Sequence, residues 1–494
     1  MHFAITPRTR AWSAVAAATT LLAWGLVSVD GTPAAPVVPP TAPAWHFVTR
    51  PDLTPPVITS TIGASSPALP DAAGDDVFLG LKDTWTGVSM QGEVIVDAQG
   101  NPVWVKNSAV GPFNVREQTY QGKPVLTYWE GNSTFYGHGD VVILDDTYTR
   151  IATVTTGGDL GPHMADIHES EITPQGTMLI TAYPEVRADL SSIGGPKDGW
   201  VLEGVAQEID IATGKVLWQW RSLDHVPISD TYQPLNPGDG SKAQPFDYFH
   251  INAVQDDGPH DLLISARHTH AIYEVSRDSG SIAWELGGRH SSFTFGPGAA
   301  FAWQHDARRQ ADGTITMFDN EAAPTTSRGL RLRLDMSTMT ASVYAQYLPP
   351  SYREAATQGN VQILPNGNVF VGWGQTPFYS EYTGSGTLLA DDTFTAGSSY
   401  RAFLNPWVGR PTTPPDAVIE RTVLTGTVYA SWNGATQVAS WRVLTGPDAA
   451  HATPVATVAR TGFETAIPVQ FPGPYVEVEA LDASGAVLGS TLAK

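Results

Sequence analysis

Cysteine is missing from all 494 residues. With it go disulfides, thiolate nucleophiles, zinc–thiolate centres and a lipid-modified N-terminal cysteine. Cations are scarce as well: 28 Lys and Arg face 49 Asp and Glu, a formal net charge of −21. Such a surface repels nucleic acid and anionic membranes, so neither is expected as a partner. Chemistry is left to His, carboxylate, Arg, Tyr and Ser. Long apolar runs are lacking except for one, the uncharged stretch Ala11 to Val29, which follows Arg8 and Arg10 and precedes Asp30. It reads as an export signal over residues 1–30, cleaved or kept as an anchor, and predicts a secreted or extracytoplasmic protein whose membrane contact is that anchor alone. Residues 31–75 open as a Pro- and Ala-rich tether.

Convincing helical periods are also rare. From Val77 onward, short runs of Val, Ile, Leu and Thr alternate with Gly, Asn and Asp turns, an all-β pattern. One phrase recurs as a turn residue, a Gly and a Trp: "IVDAQGNPVWV" (Asp97, Gly100, Trp104), "EIDIATGKVLWQW" (Asp210, Gly214, Trp218) and "EVSRDSGSIAWEL" (Gly280, Trp284). A second recurs as strand, Gly turn, strand: "HESEITPQGTMLITAY", "HINAVQDDGPHDLLISAR", "HDARRQADGTITMFDN" and "GNVQILPNGNVFVGWG". The phrases alternate, as the inner and outer hairpins of four-stranded propeller blades do. The spacing predicts a six-bladed β-propeller over residues 76–397, a Pro-rich linker over 398–416, and a small β-sandwich of immunoglobulin or fibronectin type III kind over 417–494. In the last of these, Val476, Val478 and Ala480 alternate with Glu477 and Glu479.

Each copy of the second phrase opens on a residue at one repeat position: His168, His250, His305 and Gln358. On a propeller, equivalent positions of successive blades ring the axis, so these imidazoles are expected to converge at the channel mouth. Arg267, Arg308 and Arg328 lie close to them in sequence. Guanidinium offers forked donors matched to sulfate, phosphate or carboxylate, so an anion pocket is expected. Of the adjacent Arg308 and Arg309, only one can face it. Phe249, Trp303 and Tyr379 are the aromatic residues placed to contact a substrate ring. His268 and His270 in "RHTH" have a spacing that permits metal binding but read as solvent-facing, and neither a metal nor an organic cofactor is expected.

The stretches "ADIHESEITPQGTMLITAY", "DYFHINAV", "LISARH", "IAWELGG", "QHDARR" and "QGNVQILPNGNVFVGWG" make the chain resemble the arylsulfotransferase family, in a secreted branch with a C-terminal sandwich. The resemblance implies transfer of a sulfuryl group from a phenolic sulfate ester to a phenol, independent of a nucleotide sulfate donor, through a transiently sulfated channel histidine. His250 and His305 match channel positions of the family, and Arg328 corresponds to the arginine following "FDN". Family members place the nucleophile in a late blade, yet no His stands between His305 and His451, and Gln358 occupies that ring position. His305 is therefore assigned as nucleophile, with His250 and His168 as acid–base or oxygen-binding groups and either of them as its replacement. Three rivals remain open: a quinone-dependent oxidoreductase, a non-catalytic propeller that binds an anionic aromatic or glycan, and a sulfatase-like hydrolase.

Overall fold

The computed structural model describes residues 44–62, 69, 74–82, 90–133, 136–321, 325–394 and 397–494. The expected export signal lies outside the described residues. Contacts divide the chain into residues 1–40 and 41–494, and every described residue belongs to the second unit.

Period-2 alternation of β-branched residues produces strands, and glycine turns reverse them. Among the described residues, six sheets built on four antiparallel strands precede the C-terminal region. Their innermost strands are Ser398–Pro406, Phe113–Tyr120, Ser170–Ile172, Ile251–Asp256, His305–Arg309 and Asn360–Ile363. Two sheets gain an outer fifth strand, Thr294–Phe295 in one and Thr59–Ser60 in the other.

Successive residues of a strand point to opposite faces, and each face is buried against a different neighbour. In the strand Asp261–Ala266, Leu262 and Ile264 pack toward the preceding sheet with Leu179 and Ala206, whereas Leu263 packs toward the next with Ile315 and Met317. Phe78 and Ile95 pack with Leu126 and Tyr128, and Val141 and Ile143 with Met178 and Ile180. Phe318 packs with Val361 and Val371, and Phe370 packs with Leu79 and Val94, returning to the first sheet. Because both faces of every sheet are covered in turn, the six sheets follow one another around a ring.

The ring is closed late in the chain. Ser398–Pro406 pairs with Asp75–Lys82 and is the innermost strand of the first sheet. The linker expected over 398–416 thus begins with a strand of the ring, which the sequence does not announce because it carries no repeat phrase. A second departure concerns the supposed tether: Phe47, Leu53 and Ile58 are buried, and Thr49 donates to Glu464 from both its amide (2.7 Å) and its hydroxyl (2.6 Å). Apolar residues spaced among prolines gave no strand period there, yet they pack.

Beyond the ring, Asp416–Arg421, Thr425–Ser431 and Glu464–Gln470 form one sheet. Thr453–Ala459, Ser440–Gly446, Tyr475–Leu481 and Val487–Leu492 form another, and the two share a core of Val428, Trp441, Val443, Ile467 and Val478. This tail docks on the first two sheets. Tyr148 stacks on Trp104 at 4.7 Å, accepts a hydrogen bond from Trp407 Nε1 and donates one to the Gly434 carbonyl, both at 2.9 Å.

Candidate active site

The innermost strands bring residues far apart in sequence to one centre. His250 lies with its ring centroid 4.8 Å from that of His168, 4.5 Å from His268 and 6.5 Å from His305. The predicted convergence of His168, His250 and His305 is therefore seen, with His268 as a fourth member.

Each ring is oriented by its Nδ1. His168 Nδ1 pairs with Asp166, whose other carboxylate oxygen takes the Gly137 amide at 2.8 Å. His250 Nδ1 pairs with Asp247 at 2.5 Å, and His268 Nδ1 donates to the Asp247 carbonyl at 2.7 Å. Asp247 arrives on the two-residue strand Phe246–Asp247, which follows the third sheet and joins a small sheet whose other two strands are inserted after that sheet's second strand. His305 Nδ1 donates to Asn320 Oδ1 at 2.7 Å.

The Nε2 atoms differ, and this decides what each ring can do. His305 Nε2 accepts the Gln358 amide at 3.2 Å, and His268 Nε2 accepts Arg267 at 2.9 Å. Both rings are saturated. Among the described residues His168 and His250 have no hydrogen-bond partner at Nε2, and the His250 side chain, at 19% exposure, is the most open of the four. Burial, followed by the charges of His168 and Arg267, holds His250 well below the usual imidazole range. Burial first and Arg267 second do the same to His305. Burial draws His268 down to about 3 and His270 to about 4. Neutral imidazole, a base and nucleophile, is thus the resting form at His250.

Arg267 supplies the positive charge. It donates to the Ala356 carbonyl at 3.0 Å and lies 4.7 Å from the Trp303 ring, with Nε buried and unpartnered; burial lowers its guanidinium to about 10. Asp247 Oδ1, Gln358 Oε1 and the Tyr400 hydroxyl are likewise buried without partners among the described residues. Since buried polar groups are normally satisfied, their concentration marks a place built for a polar ligand. Asp247, His250 and His268 bring one ligand atom each within 4.8 Å of one another, a spacing that would suit a metal. Arg267, bonded to His268, tilts the site toward an anion instead.

Strain gathers here too. His250, Trp303 and Gln358 have φ of 57°, 58° and 71°, a left-handed backbone that costs a non-glycine residue about 1 kcal/mol or more and persists where structure enforces it.

Not every predicted residue belongs to the centre. Arg308 is consumed by Glu169 (2.5 Å), Glu171 (2.6 Å) and Asp306 (2.8 Å) in a buried ion cluster. Arg328 is neutralised by Asp319 at 2.9 Å and bonds to Gln346 and the Ala300 carbonyl. Phe249 packs into the core between the third and fourth sheets, beside Trp220 and Tyr273. Tyr379 packs against Phe370 between the sixth and first. Trp303 is at the site, its ring 4.4 Å from His270 and 5.7 Å from His268. His270 in turn stacks on Tyr232 at 4.3 Å, and Tyr232 is 39% exposed. An aromatic wall therefore runs from the surface to Arg267. His268, expected to face solvent, is buried because "RHTH" forms a turn rather than a strand. Asp166, Asp247, Asn320 and Tyr400 were missed, although Asp166 and Asp247 stand two and three residues before a ring histidine, a spacing that would have flagged them.

A profile of the arylsulfotransferase (ASST) family matches residues 116–395, more than half of the chain, from the second sheet through the sixth. The chain belongs to that family. Membership implies a sulfotransferase enzyme acting on small aryl sulfates. No curated protein matches the sequence. Among solved structures, a Bacteroides caccae protein of unknown function is 10% identical, covering 67% of this chain and 99% of its own, with a TM-score of 0.41. The β-propeller domain of Cps50 (Swd1) from Myceliophteria thermophila is 11% identical, with coverages of 65% and 95% and a TM-score of 0.32. A catalytically inactive virginiamycin B lyase from Staphylococcus aureus, with quinupristin, is 11% identical, with coverages of 65% and 82% and a TM-score of 0.24. Similarities this low add nothing to the family assignment.

Proposed function

We propose that this family member moves a sulfuryl group from a phenolic sulfate ester to a phenol by two displacements at His250, without a nucleotide donor. The observation that carries the reading is the contrast among Nε2 atoms: His250 presents a neutral, open Nε2 with its Nδ1 anchored on Asp247, whereas both nitrogens of His305 are engaged. The nucleophile expected at His305 is accordingly reassigned to His250, and His305 becomes a buried positioning group.

In the first displacement His250 Nε2 bonds to sulfur as the sulfur–aryl oxygen bond breaks. The departing oxygen takes a proton from Nε2 of the Asp166-paired His168. In the second, the acceptor phenol returns that proton to His168 while its oxygen attacks sulfur and releases His250. Arg267 offsets the charge on the sulfuryl oxygens, and the transfer needs positioning and electrostatics more than covalent help, as in phosphoryl transfer. Trp303, His270 and Tyr232 offer aromatic faces to the phenol. The fold reading that goes with this is a six-bladed propeller with an immunoglobulin or fibronectin type III-like tail, exported by its N-terminal segment.

Exposure to p-nitrophenyl sulfate without acceptor, followed by peptide mass spectrometry, tests the assignment. One added sulfuryl group on His250, absent in His250→Asn, is the expected result. A sulfated His305, or full ping-pong turnover by His250→Asn, would overturn it.

A further inference from the structure

Among the buried unpartnered groups of the centre, the Tyr400 hydroxyl has no part in that transfer. Tyr400 sits on Ser398–Pro406, the strand that closes the ring, and is 2% exposed. Its ring centroid is 5.6 Å from that of His168 and 6.3 Å from that of His305. Its carbonyl accepts the Gly359 amide at 3.0 Å, tying it to the sixth sheet, while Phe113 packs on its ring at 5.8 Å. Backbone and ring are thus held from two sides. Among the described residues the hydroxyl has no hydrogen-bond partner, although no solvent reaches it.

A buried hydroxyl without a hydrogen bond forfeits its hydration and gains nothing in return, so a tyrosine held this firmly beside two histidines calls for a partner that arrives from outside. We propose that the Tyr400 hydroxyl is a further catalytic group, donating a hydrogen bond to a nonbridging sulfuryl oxygen while the group passes between the phenol and His250. The role rests on the transfer reading.

Burial chiefly, with Asp166, Glu169 and Asp306 adding to it against the opposing Arg401, holds this hydroxyl well above the ordinary phenol range. Tyr400 therefore keeps its proton throughout and is a donor, with no part as acid or base. Around it stand the charged and titratable groups Asp166, His168, Glu169, Arg267, His305, Asp306 and Arg401. Arg267 and Tyr400 then grip the sulfuryl oxygens as a cationic donor and a neutral one, the arrangement by which preorganised donors stabilise charge that spreads in a transition state.

Tyr400→Phe removes the hydroxyl and nothing else. Turnover of p-nitrophenyl sulfate with phenol should fall about 10²-fold in kcat, the scale for one lost oxyanion donor, with KM little changed and the pH profile of the same shape. Tm should stay level or rise, because an unsatisfied buried polar atom has gone. A kcat loss under about threefold, a Tm drop, or a displaced pH limb would overturn the role. Benzenesulfonate binding, measured by calorimetry, separates this inference from its parent. If the wild type moves no sulfuryl group yet binds benzenesulfonate roughly tenfold more tightly than Tyr400→Phe, transfer fails and the donor stands. Equal binding by both proteins overturns the donor.

Discussion

At the scale of single residues, the site turns on which ring nitrogen is occupied. His168, His250, His268 and His305 all spend Nδ1 on an acceptor; only Nε2 distinguishes them. Lowered imidazoles lead to a pH expectation with a definite sign. The reactive form of His250 is unprotonated and burial favours it, so activity should persist into acid where an ordinary imidazole fails. An imidazole of pKa 6.5 is about 3% neutral at pH 5, and a nucleophile of that kind would lose roughly thirtyfold between pH 8 and pH 5. Here the pre-steady-state burst of p-nitrophenol should fall by no more than about threefold over that interval; a thirtyfold loss would show that the ring titrates normally. The convergence of His168, His250 and His305 was legible because they repeat at one position of a periodic sequence. Their rank was not. The proposed nucleophile, His250, and His305 differ by the Gln358 amide that His305 accepts, a backbone contact that no residue type announces. Arg308 misled for a related reason: sequence proximity to His305 is real, but the strand register shifts between the two and the guanidinium is taken up by Glu169.

At the scale of elements, asparagines fasten neighbouring sheets together. Asn114 donates to the Ile167 carbonyl at 2.7 Å, Asn252 to Gln304 at 2.6 Å and Asn360 to Ala402 at 2.8 Å. They occur in "FNV", "HIN" and "QGN", so the signal was present in the repeats and is readable once the geometry is known. Beneath the histidines lies the ion cluster, whose Glu169 is held low, against the effect of burial, by Arg308, Arg401 and Arg116. Arg401 also donates to Asn114 Oδ1 at 2.9 Å and the Asn252 carbonyl at 3.0 Å. It is wholly buried. Replacing it by Met strips a buried network of one partner, which should cost about 3–5 kcal/mol, read as a lower urea midpoint with an unchanged m-value. A loss below 1 kcal/mol would mean that the remaining arginines compensate.

At the scale of the whole molecule, a net charge of −21 surrounds a centre that must admit an anion. Bulk field and local site oppose each other: Arg267 attracts a sulfate ester at contact, while the envelope repels it at a distance. Screening shortens that repulsion, since the Debye length falls from about 30 Å at 0.01 M to about 8 Å at 0.15 M ionic strength. Raising salt over that range should increase kcat/KM for the anionic donor by roughly two- to tenfold and leave that for a neutral phenol acceptor unchanged. Equal responses of the two would place the limiting step elsewhere.

Synthesis order gives the closing strand a further meaning. The histidines of the centre are made by residue 305, but the first sheet lacks its inner edge, and the site lacks Tyr400 and Arg401, until Ser398–Pro406 emerges. At about 5–20 residues per second, a nascent chain carries the proposed nucleophile for several seconds or more before the geometry that would use it can exist. A fragment ending short of residue 398 would hold every imidazole of the cluster and still be inert, so only a finished ring acquires the reactive arrangement.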